Sequence, residues 1–138
     1  MDTAEAVERE LMEIGFFGPV ALTKAVLPAM SARSRGRIIN IGSVAGRRMT
    51  FFGSLDYTVS KYGVEGLTQH LAWELADQCI TVNSICPGYV LTDMGAATRT
   101  PEQIAEWSSK SPLGRLAETS DVAAMALFLA SRDSDYCT

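Results

Sequence analysis

Two short runs rich in β-branched residues restrict the fold of this chain more than anything else in it: Arg37-Ile38-Ile39-Asn40-Ile41-Gly42 and Ile80-Thr81-Val82-Asn83-Ser84-Ile85-Cys86. The first is bounded by glycines and has the pattern of a strand buried on both faces. The second is closed by Pro87-Gly88. Between them, Tyr57 to Ala76 reads as a helix, with Val64, Leu67, Leu71 and Leu75 on one apolar stripe. Strand, crossover helix and strand in that order imply a parallel pair joined by a right-handed connection.

Helices fill the rest of the chain. Asp2 or Thr3 caps a helix from near Ala4, whose apolar positions recur from Val7 to Met30. Gly15, Gly18 and Pro19 predict a kink there, or two helices meeting. Val44 to Asp56 reads as a loop. Thr100-Pro101-Glu102-Gln103 has the order of a capping box and predicts a short helix from Pro101 to about Ser109. A last helix, from near Thr119 to Ala130, is apolar on most sides and demands heavy burial. The expected class is α/β, a partial doubly wound parallel sheet with flanking helices, in one unit over 1–138 with no second domain. Two strands make an incomplete layer, because a parallel sheet needs both faces covered and neighbours at its edges.

Charge and cysteine usage narrow the class of function. A net charge of −4 over 138 residues gives no electrostatic reason to bind nucleic acid or an anionic membrane. The densest basic stretch, Arg33 to Arg37, reads as a solvated loop. No segment reaches the roughly 18–20 uncharged apolar residues that span a bilayer, the longest being Val122 to Ala130. No secretory signal is expected from the acidic and polar first residues. Cys79, Cys86 and Cys137 lack C-x-x-C spacing and fit a reduced, cytoplasmic protein. His70 is the lone histidine and reads as an exposed helix residue; a metal site has no support. Trp73 and Trp107 read as packing residues, and Asn83 as a structural hydrogen bonder.

The chemistry converges on Tyr57 and Lys61. Four residues apart on one helix, they project from the same face. A phenol, with an ordinary pKa of about 10, needs roughly 4 kcal/mol of stabilisation of its ionised form to trade protons near neutrality. An ammonium about 5 Å away supplies roughly 3 kcal/mol at an effective dielectric near 20. Ser43 stands at the end of the first strand and Pro87-Gly88-Tyr89-Val90-Leu91-Thr92 at the end of the second, the edge where functional groups of open α/β sheets collect.

In order along the chain stand GRIINIGSVAG, YTVSKYGVEGLTQHLAWEL, ITVNSICPGYVLTDM, PLGR and DVAAMALFLAS. This series, from about Glu10 to Tyr136, closely resembles the short-chain dehydrogenase/reductase (SDR) family. The resemblance implies a Rossmann-type sheet, of which 1–138 is the C-terminal catalytic and substrate-binding half, truncated at both ends. It implies hydride transfer between NAD or NADP and a small-molecule carbonyl or alcohol. In the roles it implies, Tyr57 is the acid/base, Lys61 lowers its pKa and binds the nicotinamide ribose, and Ser43 holds the substrate oxygen. Pro87, Gly88, Val90 and Thr92 line the nicotinamide, 93–111 forms a substrate lid, and Tyr89 and Trp107 are candidates for touching substrate. The intact enzyme is expected to be a homodimer or homotetramer, through its two long helices.

Two departures accompany the resemblance. Gly15 stands where the family has an asparagine in its proton relay, and no glycine-rich turn for the cofactor pyrophosphate is present in the sequence. The alternative expectation is a non-catalytic fragment or association module that lacks the pyrophosphate site.

Overall fold

The computed structural model describes residues 3–50, 53–93, 97 and 99–138. Helix α1 (Thr3–Met12) runs through a single π turn (Glu13–Phe17) into α2 (Gly18–Ser31). The predicted interruption is that π turn: the Gly18 amide donates to the Glu13 carbonyl, five residues back, so one extra residue is absorbed and the helix continues. Pro19 falls in the first turn of α2, where a missing amide proton costs little. The continuous helix Glu5–Ser31 has 27 residues and includes an 18-residue window of mean hydropathy 1.3, long and apolar enough to cross a membrane by length and composition alone, although no such window is free of charges; here the helix packs along the next long helix.

Strands β1 (Gly36–Ile41) and β2 (Ile80–Ile85) pair in parallel, in register from Gly36 opposite Ile80 to Ile41 opposite Ile85. The crossover is α3 (Leu55–Glu74), which starts two residues before the expected position because Ser54 caps it, its Oγ accepting from the Tyr57 amide at 3.2 Å. Ile38, Leu75, Ile80 and Val82 form the core, with Leu27, Met30 and Leu71 packed on it. A buried polar tie crosses this layer. Asn40 Nδ2 donates to Thr68 Oγ1 at 2.9 Å, and Thr68 Oγ1 donates to the Val64 carbonyl at 2.8 Å, so the buried amide is satisfied. Along the far edge of β2, Thr138 Oγ1 accepts from the Val82 amide and Asn83 Nδ2 donates to the Cys137 carbonyl at 2.8 Å, the structural role expected of Asn83.

A second ladder joins β3 (Val90–Leu91) in parallel to β4 (Ala117–Glu118), with α4 (Pro101–Ser109) between them and α5 (Thr119–Ala130) after. Helix α4 begins where its cap predicts, and α5 spans the expected Thr119–Ala130. In α4 both reciprocal bonds of the Thr100/Gln103 capping box are made. Two expectations are overturned. In α5 only Leu129 is buried, while Leu127 is 73% exposed, because its single supporting layer is a two-stranded sheet that covers one side of it. Trp73 does not pack: it lies on the outer side of α3, 90% exposed.

The start of α5 carries a pH-dependent contribution. Asp121 accepts from Arg115 Nη1 and Nη2 at 2.7 and 3.0 Å and from the Glu118 amide at 2.8 Å. The guanidinium first, and then that amide, hold its carboxyl down to about 2. Because the folded value lies below the ordinary carboxylate value, the stabilisation is complete above about pH 4 and is lost as pH falls towards the folded value. Urea melts of Asp121→Asn should therefore lose less stability than the parent over that acid interval. Parallel acid limbs would contradict this.

Candidate active site

The parallel ladder continues past the strands. The Gly42 amide donates to the Ile85 carbonyl at 2.8 Å and the Val44 amide to the Pro87 carbonyl at 3.0 Å, so Ser43 and Pro87 leave the sheet side by side at its carboxyl edge. Ser43 is extended, with φ −165° and ψ 157°, and its Oγ accepts from the Ala45 amide at 3.1 Å, capping a tight turn at Val44–Gly46. That turn presses on α3, whose first turns carry Tyr57 and Lys61. Lys61 Nζ donates to the Ile41 carbonyl at 2.9 Å and stands 5.7 Å from the centre of the Tyr57 ring.

A cavity of about 500 Å³ brings together Ser43, Tyr57, Lys61, Pro87, Gly88, Tyr89, Val90 and Trp107. Of the residues predicted for the site, Thr92 is exposed beyond β3 and is not among those lining this cavity. Trp107 packs, but onto Tyr89, their ring centres 5.2 Å apart. A second cavity, of about 700 Å³, adjoins the first through Val44, Thr50, Gly88, Tyr89 and Leu116 and extends between the Arg48–Thr50 loop and the segment leading to β4. His70 is exposed and pairs with Glu74 at 3.3 Å. Among the described residues no three His, Cys, Asp or Glu side chains come together as a metal site would require.

Two residues that the sequence reading missed stand at this site. Glu65, one turn beyond Lys61, is buried beneath Gly42; its carboxylate accepts from Ser84 Oγ and stands 3.5 Å from Arg47 Nη1. It ties α3 to β2 and to the turn after Ser43. Its signal was the i+4 spacing from Lys61, which places both on one helix face. Beside it, burial pushes the Cys86 thiol up; a Ser84 hydrogen bond opposes this, and Glu65 adds to it. The other missed residue, Arg99, lines the cavity from the start of α4, and nothing in its local sequence marks it.

A family model described as "Enoyl-(Acyl carrier protein) reductase" matches residues 1–138, the whole of this chain. The chain belongs to the short-chain dehydrogenase/reductase family. Oxidoreductase UcpA of Escherichia coli O157:H7 is 42% identical over 134 residues, covering 92% of this chain and 51% of that protein. The galactitol 2-dehydrogenase of Cereibacter sphaeroides is 39% identical, over 100% of this chain and 55% of its own length. A crystal structure of the 3-oxoacyl-[acyl-carrier protein] reductase of Brucella melitensis superposes with a TM-score of 0.92 at 34% identity, covering 100% of this chain and 50% of that one. A Brucella melitensis reductase structure that also matches, at a TM-score of 0.88, has NAD bound. The α/β architecture with parallel strands is thus that of SDR Rossmann-fold reductases, and the chain spans about half the length of the curated relatives it matches.

At the family's asparagine position the π turn places Gly15 against Ser60. A Cβ there would stand 3.0 Å from Ser60 Oγ, itself donating to the Tyr57 carbonyl at 2.8 Å. Ser60 immediately precedes Lys61, so a larger residue at 15 would press on the helix segment that carries both Tyr57 and Lys61.

Proposed function

We propose that this chain is the catalytic and substrate-binding part of an oxidoreductase that moves a hydride between NAD or NADP and a carbonyl or alcohol carbon. The convergence of Ser43, Tyr57 and Lys61 in one cavity at the carboxyl edge of β1 and β2 carries this reading. The residues present fit a nicotinamide: the Pro87–Val90 turn and Lys61 line the cavity together, with no carboxylate among the described lining residues. When bound, the nicotinamide supplies or accepts the hydride.

This chain's own residues manage the proton. In reduction the Tyr57 hydroxyl gives its proton to the developing alkoxide; in oxidation the phenolate takes it back. The Lys61 ammonium stands 5.7 Å from the centre of the Tyr57 ring. Ser43, fixed at the turn, donates to the substrate oxygen, where a preorganised donor acts most strongly as charge develops. Lys61 is oriented by the Ile41 carbonyl.

A second reading, an association module or inactive fragment, is favoured by apolar side chains left open on the long helices, Leu22 at 67% and Trp73 at 90% exposed. One experiment separates the two. The chain is incubated with NADPH or NADH deuterated at both C4 positions and an excess of acetoacetate or of ethyl acetoacetate, and the product alcohol is examined by mass spectrometry. Deuterium at the carbinol carbon is expected, with cofactor affinity weaker than micromolar in a parallel fluorescence titration, because helix-terminus amides for the pyrophosphate are missing from the sequence. Alcohol without deuterium, or no alcohol at millimolar cofactor, would overturn the proposal in favour of the second reading.

A further inference from the structure

Resting on that oxidoreductase reading, the geometry points to a substrate that carries an anionic group, bound by Arg99 in the cavity it shares with Ser43 and Tyr57. Arg99 is half-buried, its guanidinium carbon 4.5 Å from the centre of the Trp107 ring. Trp107 lies in turn on Tyr89, with ring centres 5.2 Å apart and planes at 35°. Tyr89, Trp107 and Arg99 thus form one contiguous group that lines the same cavity as Ser43, Tyr57 and Lys61. The Thr100/Gln103 capping box fixes the chain immediately after Arg99.

A guanidinium over an indole is held by the ring face and still offers N–H groups that a carboxylate or phosphate can take in bidentate fashion. Among the described residues no carboxylate lies within ion-pair distance of Arg99, in contrast to Arg115, which Asp121 holds by two hydrogen bonds. No Asp or Glu is among the residues lining the cavity, and its other cation, Lys61, donates to a carbonyl. A chain of net charge −4 therefore has a cleft in which two cations face no acid, and such a cleft concentrates anions. With the reacting oxygen at Ser43 and Tyr57, a cavity of about 500 Å³ accommodates a small oxo or hydroxy compound whose carboxylate or phosphate reaches Arg99.

The test uses Trp107 as the reporter. Trp73→Phe removes the other tryptophan, which is exposed, and leaves the emission of the ring beneath Arg99. This protein is titrated with two matched pairs, acetoacetate against ethyl acetoacetate and dihydroxyacetone phosphate against dihydroxyacetone, and with ADP-ribose. One anion is expected to quench saturably and at least about tenfold more tightly than its neutral partner, the size of a charge-assisted hydrogen bond. The pair that discriminates identifies the group as carboxylate or phosphate. Arg99→Gln should abolish the discrimination and Arg99→Lys, which keeps the charge but not the bidentate fork, should weaken it. Equal affinity within both pairs, no saturable quenching by either anion, or discrimination that survives Arg99→Gln overturns the inference. So does an effect of Arg99→Gln confined to ADP-ribose, which would assign the cation to the cofactor. Binding needs no turnover, so the outcomes separate: Arg99-dependent anion binding without deuteride transfer rejects the oxidoreductase reading alone. Equal turnover of neutral and anionic carbonyls rejects this inference alone.

Discussion

Tyr57→Phe is expected to lower deuteride transfer about 10²- to 10⁴-fold, the range for removing a positioned general acid, while leaving stability within about 0.5 kcal/mol of the parent. The separation follows from the geometry. Among the described residues the Tyr57 hydroxyl makes no hydrogen bond, its ring is only half-buried, and the cap that starts α3 uses its backbone amide. Phenylalanine keeps the ring, the cap and the 5.7 Å approach of the Lys61 ammonium to its face. Only the proton donor is lost. Lys61 is the poorer test, because its replacement also removes the hydrogen bond to the Ile41 carbonyl and so loosens the end of β1. Matched urea melts and product mass spectra of Tyr57→Phe decide the point, and a rate within tenfold of the parent would exclude Tyr57 as the acid.

The second large effect is expected far from any proton. A Cβ at Gly46 would stand 2.5 Å from the Lys61 carbonyl oxygen and 2.7 Å from its carbon, both backbone atoms inside α3 that cannot swing aside. Gly46→Ala must therefore lift the Val44–Gly46 turn off the helix, at a cost of about 1–3 kcal/mol, as for other overpacked sites. Ser43 caps that turn, so its Oγ moves with it relative to Tyr57, and a misplacement of about 1 Å costs on the order of 10² in rate. Gly88→Ala is the control: no atom lies within 4 Å of its added Cβ, and stability should hold to about 0.5 kcal/mol. Parent-like melting and turnover in Gly46→Ala would show that the turn does not set the position of Ser43.

Much of this arrangement was legible in one dimension, and for local reasons. The start of α4 follows from the Thr100/Gln103 capping box, and the structure places the helix where that cap stands. The parallel pairing of β1 and β2 follows from the length of the helix between them. Tyr57 and Lys61 share a face because of helical spacing, and Ser43 and Pro87 share an edge because each ends a strand. The glycines and prolines of the first helix misled because their effect depends on neighbours: a π turn absorbs them, and Gly15 is accommodated by Ser60 from another helix.

What the sequence by itself determined was therefore the identity of the long helices and of β1 and β2 and the grouping of Ser43, Tyr57 and Lys61, since both rest on spacings of a few residues and on ordered motifs. Tertiary structure alone decided which side chains are buried and which charges meet. Burial of α5 and Trp73 depends on how many layers lie opposite them, and here Leu127 and Trp73 face solvent. The Glu65–Ser84–Arg47 cluster joins residues 18 and 19 positions apart across three elements, and the Tyr89–Trp107–Arg99 contacts join the turn after β2 to α4 and the residue that leads into it. Electrostatic and packing energies depend on distance in space, and that distance is set only when the sheet, the π turn and the two-residue ladder have formed.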